Sequence, residues 1–332
     1  MKVLICGHPL YRYLDSVSDG FKSNGWSSKI FEHKNTNVLK LLQKGFVRRL
    51  KNKSVLNKIN RQIKKQVLAY EPDLFLIING EVLFEETILW LNKRCKTALW
   101  LVDGAENVKL PRKSMNLFSC RFVLEPTDET LLTEATYLPY ACDPTVYSPL
   151  PLEQKKYDIS FVGAGHEDRL IGLNDVAKFA SDHDFNFSVF GPFGVFKDVE
   201  KQVQYEYLYK SIVFNGKLTP SEVNKIYNQT FININSHHSQ SKEGVNTRVF
   251  EILGTKSIQL VENKPYLDDL FTHMPSLFTY GNMEELTSNI LEIMKSPESC
   301  VTDLGNLYDE VKENHSFVNR TKTIIETFEG LS

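Results

Sequence analysis

The chain has 332 residues, with 39 Lys plus Arg against 41 Asp plus Glu and a formal net charge of −2. Its 42% apolar and 24% charged composition is ordinary for a globular protein, and the length implies two domains, since single cores stop growing near ~250–300 residues. No apolar run approaches the ~18–20 residues of a membrane span, the start at Met1–Gly7 lacks a signal-peptide core, and five scattered cysteines without a CxxC pair read as reduced thiols in a cytoplasmic protein.

Lys2–Cys6 is a strand ending at Gly7-His8-Pro9, followed by a helix over Asp15–Asn24 and a short strand at Ser28–Phe31. Val38–Leu50 and Val55–Tyr70 have helical apolar spacing, with basic residues on the other faces. Asp73–Ile78 is a buried strand, Glu85–Lys93 a helix, Thr97–Val102 a strand closed by Asp103-Gly104, and Phe122–Leu124 a further strand. This alternation predicts a parallel sheet with helices on both faces.

Four prolines between Pro139 and Pro151 mark a linker. The pattern then restarts. Strands are expected at Tyr157–Val162, Phe187–Phe190, Ile212–Phe214, Phe231–Asn235 and Ser257–Leu260. Helices are expected from about Glu167, over Pro220–Tyr227, Val245–Leu253, Tyr266–Phe271 and Glu284–Lys295, and over most of Leu304–Phe328. The expected division is 1–150, 151–310 and a helical tail at 311–332. Two such domains facing each other would enclose a cleft at the C-terminal ends of their strands, where open α/β sheets bind ligands.

The strongest chemical signal is Ser241-Lys242-Glu243-Gly244-Val245-Asn246-Thr247-Arg248-Val249-Phe250-Glu251. It lies between a strand and a helix, with two glutamates bracketing seven residues. Helix-start N–H groups and Arg248 suit an anion such as a diphosphate, and a carboxylate can accept two vicinal sugar hydroxyls. The bare spacing is also that of an ordinary capped helix; the strand–loop–helix setting favours the functional reading. Asp103 could position an acceptor hydroxyl or, in an inverting enzyme, take its proton. His8 could touch the acceptor or the donor sugar. His237-His238 lack an Asp or Cys at metal-ligand spacing and read as a polar loop. Asp182-His183-Asp184 and Asp268-Asp269 resemble DxD metal motifs only superficially, and no metal is expected.

Glu243-x7-Glu251 in this setting resembles the donor motif of retaining GT-B glycosyltransferases. Five segments are similar, in order, to the spore-maturation-protein-like glycosyltransferases: Trp100-Leu101-Val102-Asp103, Leu138-Pro139-Tyr140-Ala141-Cys142-Asp143-Pro144, Tyr157-Asp158-Ile159-Ser160-Phe161-Val162-Gly163, Gly244 to Glu251, and His315-Ser316-Phe317-Val318-Asn319-Arg320. The resemblance implies an α/β GT-B fold of two Rossmann-like domains with parallel sheets and a C-terminal helix packing back toward the first. It implies that Glu251 holds the nucleotide ribose and Glu243 lies near the donor sugar. Arg248, Arg169 and Lys217 are then candidates for the diphosphate, with Asn246 and Thr247 as helix-start donors and Gly163 and Gly165 admitting the phosphates. The implied reaction is metal-independent retaining transfer from a nucleotide sugar, a UDP-sugar first, with no cofactor.

The near-neutral total conceals an asymmetry. Eleven Lys/Arg and no Asp/Glu lie between His33 and Tyr70, leaving 28 cations against 41 anions elsewhere. Solvated helix faces account for single charges; the whole block, with Lys51, Lys53, Lys64 and Lys65, favours an anionic acceptor or membrane surface. A lipid-linked glycan at the inner membrane face leads. Nucleic acid, through glycosylation of modified DNA bases, is the alternative. A non-catalytic sugar- or nucleotide-binding protein is the second hypothesis.

Overall fold

A computed structural model describes residues 1–9, 12–33, 46–151, 154–239 and 242–331, with the backbone alone for residues 46–52. The chain divides into two compact units. One comprises Met1–Pro139 with Phe317–Ser332, the other Tyr140–Ser316. Each is built on a six-stranded parallel sheet.

In the first unit the strands are β1 (Lys2–Gly7), β2 (Ser27–Glu32), β3 (Leu74–Ile78), β4 (Lys96–Trp100), β5 (Cys120–Val123) and β6 (Ala135–Tyr137). They run in the order β2-β1-β3-β4-β5-β6. All five residues of β3 are buried, as expected of a central parallel strand covered on both faces. Helix α1 (Tyr13–Ser23) and helix α2 (Phe46–Tyr70) follow β1 and β2. The two helices expected over 38–50 and 55–70 are, from Phe46 onward, one helix. Residues 38–45 lie outside the described ones. Ile59, Ile63 and Val67 recur at i, i+4 and i+8 and are buried, so one stripe of this basic helix faces the core. Buried Asn60 secures it: its amide donates to the carbonyls of Leu56 and Val82 at 2.8 Å, and its carbonyl accepts Phe84 N–H at 3.1 Å. Helix α3 (Glu85–Asn92) precedes β4.

The second unit holds β7 (Tyr157–Val162), β8 (Phe187–Phe190), β9 (Ile212–Phe214), β10 (Thr230–Asn235), β11 (Ile258–Glu262) and β12 (Thr279–Tyr280). Their order is β12-β11-β10-β7-β8-β9. Its main helices are α4 (Glu167–Asp182), α5 (Pro220–Gln229), α6 (Thr247–Gly254), α7 (Met283–Lys295) and α8 (Val301–Asn314). The first strand of this unit follows its sequence pattern to the residue. The short β6 and β12 carry no pattern long enough to read.

The tail is largely helical and its last helix joins the first unit, as expected, with one break that the sequence pattern did not mark. It breaks at His315-Ser316 into α8 and α9 (Phe317–Glu329), and α9 belongs to the first unit. The break has a packing cause. His315 lies against the rings of Phe250 and Phe271, and its Nε2 is 2.8 Å from the Leu270 carbonyl. Beyond it, Arg320 Nε donates to the Pro139 carbonyl at 2.9 Å. Tyr13 meets Phe317, and Trp26 meets Phe328, edge to face with ring centroids 5.2 Å apart in both pairs.

Candidate functional site

The ends of β7 and β10 and the starts of α4 and α6 come together in the second unit. Arg248, in the first turn of α6, donates from Nη1 to the Val162 carbonyl at 2.9 Å and from Nη2 to the Ser236 carbonyl at 3.2 Å. Both acceptors lie at C-terminal strand ends, where carbonyls leave the ladder. Gly163 is required by this approach: a Cβ there would stand 2.5 Å from Arg248 Nη1. Arg169, in the first turn of α4, is 8% exposed. Its Nε donates to the His237 carbonyl and its Nη1 to the Ala164 carbonyl, each at 3.4 Å.

Neither guanidinium has a carboxylate within 4.0 Å among the described residues. Burial lowers the pKa of both, and for Arg169, pushed down to about 10, the charge of Arg248 is the second cause. Two enclosed like charges held only by neutral carbonyls favour an added anion, which relieves the repulsion and gains charge-assisted hydrogen bonds. Two helix starts support the same binding. Asn246 and His166 are the N-cap residues of α6 and α4, and neither side chain takes up a helix N–H. The Asn246 amide instead donates to Asn235 Oδ1 at 2.8 Å, and its own Oδ1 is buried without a partner. The dipole and open amides of both helices favour negative charge.

One turn along α6, Glu251 accepts from Thr247 Oγ1 at 2.9 Å and from the Tyr147 hydroxyl. Burial raises the carboxyl pKa; the Thr247 bond, the Arg248 charge and the Tyr147 bond pull it back down. A fixed carboxylate two hydrogen bonds deep still has lone pairs free for a pair of hydroxyls.

The predicted residues therefore divide. Gly163, Arg169, Asn246, Thr247, Arg248 and Glu251 share one neighbourhood, and Glu243 is half-buried in the loop before α6. Gly165 packs on the ring of Phe193, which a Cβ would strike. Lys217 is exposed on the segment after β9, separated from β7 by β8 in the sheet. His8 and Asp103 lie in the first unit. Asp103 stands three residues beyond β4 rather than at its end, and accepts from Asn79 Nδ2 at 2.9 Å. Burial raises its carboxyl pKa and the Asn79 bond lowers it. His8 and His33, at the ends of β1 and β2, meet edge to face at 6.1 Å. Lys53 and Lys65 are exposed on α2, Lys64 reaches over the Trp90 ring at 5.6 Å, and the side chain of Lys51 lies outside the described residues.

Sequence reasoning missed Tyr147, Tyr227, Tyr280 and Glu262, which surround Glu251, Arg248 and His237. Tyr147 follows Cys142-Asp143-Pro144 closely, and that proximity was its only signal. Among the described residues, no three His, Cys, Asp or Glu side chains gather as a metal site.

This is the fold of GT-B glycosyltransferases: two α/β units, each built on a six-stranded parallel sheet. Residues 174–326 match the family model described as glycosyl transferase-like. Among solved structures, the chain is similar to sucrose-phosphate synthase from Thermosynechococcus elongatus, with 12% identity, TM-score 0.71 and full coverage of both chains. It is similar to a glycosyltransferase from Rickettsia africae, with 14% identity, TM-score 0.69 and coverage of 99% and 98%. It is also similar to Anabaena HepE, solved in complex with UDP and glucose, with 13% identity, TM-score 0.68 and coverage of 99% and 100%. No curated protein matches the chain in sequence.

Proposed function

We propose that this protein is a nucleotide-sugar-dependent glycosyltransferase of the spore-maturation-protein-like group, with its donor in the second unit. One observation carries the reading: two enclosed arginines without carboxylate partners flank two open helix starts, with a tethered carboxylate one turn away. That arrangement suits a nucleoside diphosphate, its phosphates on Arg169 and Arg248 and its ribose hydroxyls on Glu251. UDP is the nucleotide we favour, because HepE is a structural relative solved with UDP.

In the reaction an acceptor hydroxyl oxygen bonds to the sugar's anomeric carbon as the bond from that carbon to the diphosphate oxygen breaks. Charge builds on the departing diphosphate, and fixed cations and helix N–H groups stabilise it without reorganising. The Glu243-x7-Glu251 spacing supports retention, in which the departing phosphate itself takes the acceptor proton. The reading needs no metal. The exposed cations Lys53, Lys58, Arg61 and Lys65 on α2 support an anionic or membrane-bound acceptor.

Calorimetric titration with UDP, GDP and ADP, followed by their glucosyl derivatives, tests the donor assignment. Arg248→Ala, Arg169→Ala and Glu251→Ala should each weaken the best ligand about tenfold or more. Because Arg248 also holds two strand-end carbonyls, melting curves must accompany its variant. Unchanged affinity in Arg169→Ala and Glu251→Ala together would sink the proposal.

A further inference from the structure

His237 has no task in this scheme, yet its ring is enclosed beside the arginines. It follows β10, its side chain is 1% exposed, and neither ring nitrogen has a hydrogen-bond partner. Its backbone is pinned on both sides. The N–H donates to Glu262 Oε2 at 2.8 Å, and the carbonyl accepts from Arg169 Nε at 3.4 Å. Buried polar side chains nearly always have partners, because an orphaned one forfeits its hydration for nothing. An imidazole fixed in place with both nitrogens buried and unpartnered carries hydrogen-bonding capacity that the fold itself leaves unused.

The surroundings define what that is. Arg169 faces it from α4, Arg248 from α6, and Glu262 and Lys264 from the end of β11; His238, next in the chain, lies 3.9 Å from Asp168. Burial first, then Lys264, Arg248 and Arg169, push the ring down to about 3. It is neutral at physiological pH and carries one N–H and one lone pair. Glu262 Oε2 stands 3.8 Å from Nδ1, so a small carboxylate movement makes it the acceptor of an Nδ1–H. That tautomer leaves Nε2 as an acceptor. An ionised phosphate oxygen has no hydrogen to offer it, whereas a sugar hydroxyl does.

We propose that His237 is a donor-sugar specificity residue: its Nε2 accepts a hydrogen bond from a hydroxyl of the sugar, beside the diphosphate on Arg169 and Arg248. Glu262 is the positioning residue that sets the tautomer. This rests on the nucleotide-sugar reading and deepens it, because it calls for a sugar with a free hydroxyl near the diphosphate.

The test compares UDP with the tightest of UDP-glucose, UDP-galactose and UDP-N-acetylglucosamine by calorimetry near neutral pH. The unaltered protein should bind the UDP-sugar more tightly than UDP. His237→Leu should lose about tenfold on the UDP-sugar and stay within about twofold on UDP. His237→Gln, whose amide keeps a donor and an acceptor, should restore most of the difference. Glu262→Gln, altered at a half-exposed carboxylate, should show a smaller loss in the same direction and carries the test if His237→Leu does not fold. A His237→Leu effect that is equal on both ligands, or absent from both, overturns the proposal. So does an unaltered protein that binds UDP as tightly as any of the three UDP-sugars. If the unaltered protein binds GDP or ADP instead of UDP, the same comparison is made with that nucleotide and its sugar derivatives; if it binds none of the three or their sugar derivatives, the nucleotide-sugar reading itself fails and takes the proposal with it.

Discussion

Thr247 and Tyr147 hold the Glu251 carboxylate in place, yet burial raises its pKa above the usual glutamate range. The sign of the consequence follows from linkage. An unfolded chain loses this proton at lower pH than the folded one, so the folded state is favoured below about pH 4.5, and that advantage is lost as pH rises through the elevated value. Glu251→Gln removes the penalty. Its melting temperature at pH 7 should exceed that of the unaltered protein, by about 2–4 °C for each kcal/mol relieved. The gap should close near pH 4, and affinity for the donor should fall throughout. A variant less stable at pH 7 would show that the hydrogen bonds to Glu251 outweigh its desolvation.

At the scale of elements, close approach between helices explains a glycine that has no turn to make. Gly20 lies within α1, and a Cβ there would stand 2.6 Å from the Phe317 carbonyl and 2.8 Å from Thr321 Oγ1. The helices α1 and α9 are thereby allowed to touch, and Asn24 Nδ2 donates across the contact to the Val318 carbonyl at 2.9 Å. Gly20→Ala improves helix propensity by roughly 1 kcal/mol, but it forces these backbones apart. Overpacking of this kind costs about 1–3 kcal/mol, so the variant should be less stable than the unaltered protein in a denaturant melt. A gain in stability would mean that α9 yields without cost.

For the whole molecule, the tail of the sequence stabilises its beginning. Deleting residues 317–332 uncovers Tyr13, Gly20 and Trp26 in the first unit and removes nothing from the sheet of the second. Hydrogen exchange should accelerate in α1 and β2 while β7, β8 and β10 stay protected. Equal loss in both units would contradict this division. The charge asymmetry is tested at the same scale. The described cations of α2 form no ion pair with a described carboxylate, and its apolar stripe is spent on the core. Changing Lys51, Lys53, Lys64 and Lys65 to Glu should therefore abolish binding to vesicles containing anionic lipid at low salt. Unchanged binding would reduce the block to a solvated helix face.

The β7 strand and the Ile59, Ile63, Val67 stripe were legible because hydrophobic period is local. That Arg248 and Glu251 are neighbours was legible because they share one helix turn beside a glycine-bearing loop. Lys217 drew attention through its charge and a nearby glycine, features that say nothing of where a chain folds back. His237 read as a polar loop residue because burial and unmet hydrogen bonds leave no mark in a sequence. The alternation of strand and helix patterns by itself determined an α/β chain, the charge order a basic segment in its first half, and the resemblance of the Glu243 to Glu251 segment pointed to its second half for the donor. Only tertiary structure decided that Arg169 joins Arg248, that Tyr147 tethers Glu251, that His237 stands unpartnered, and that the tail breaks at His315-Ser316. Those facts depend on contacts between residues far apart in the chain, which local pattern cannot encode.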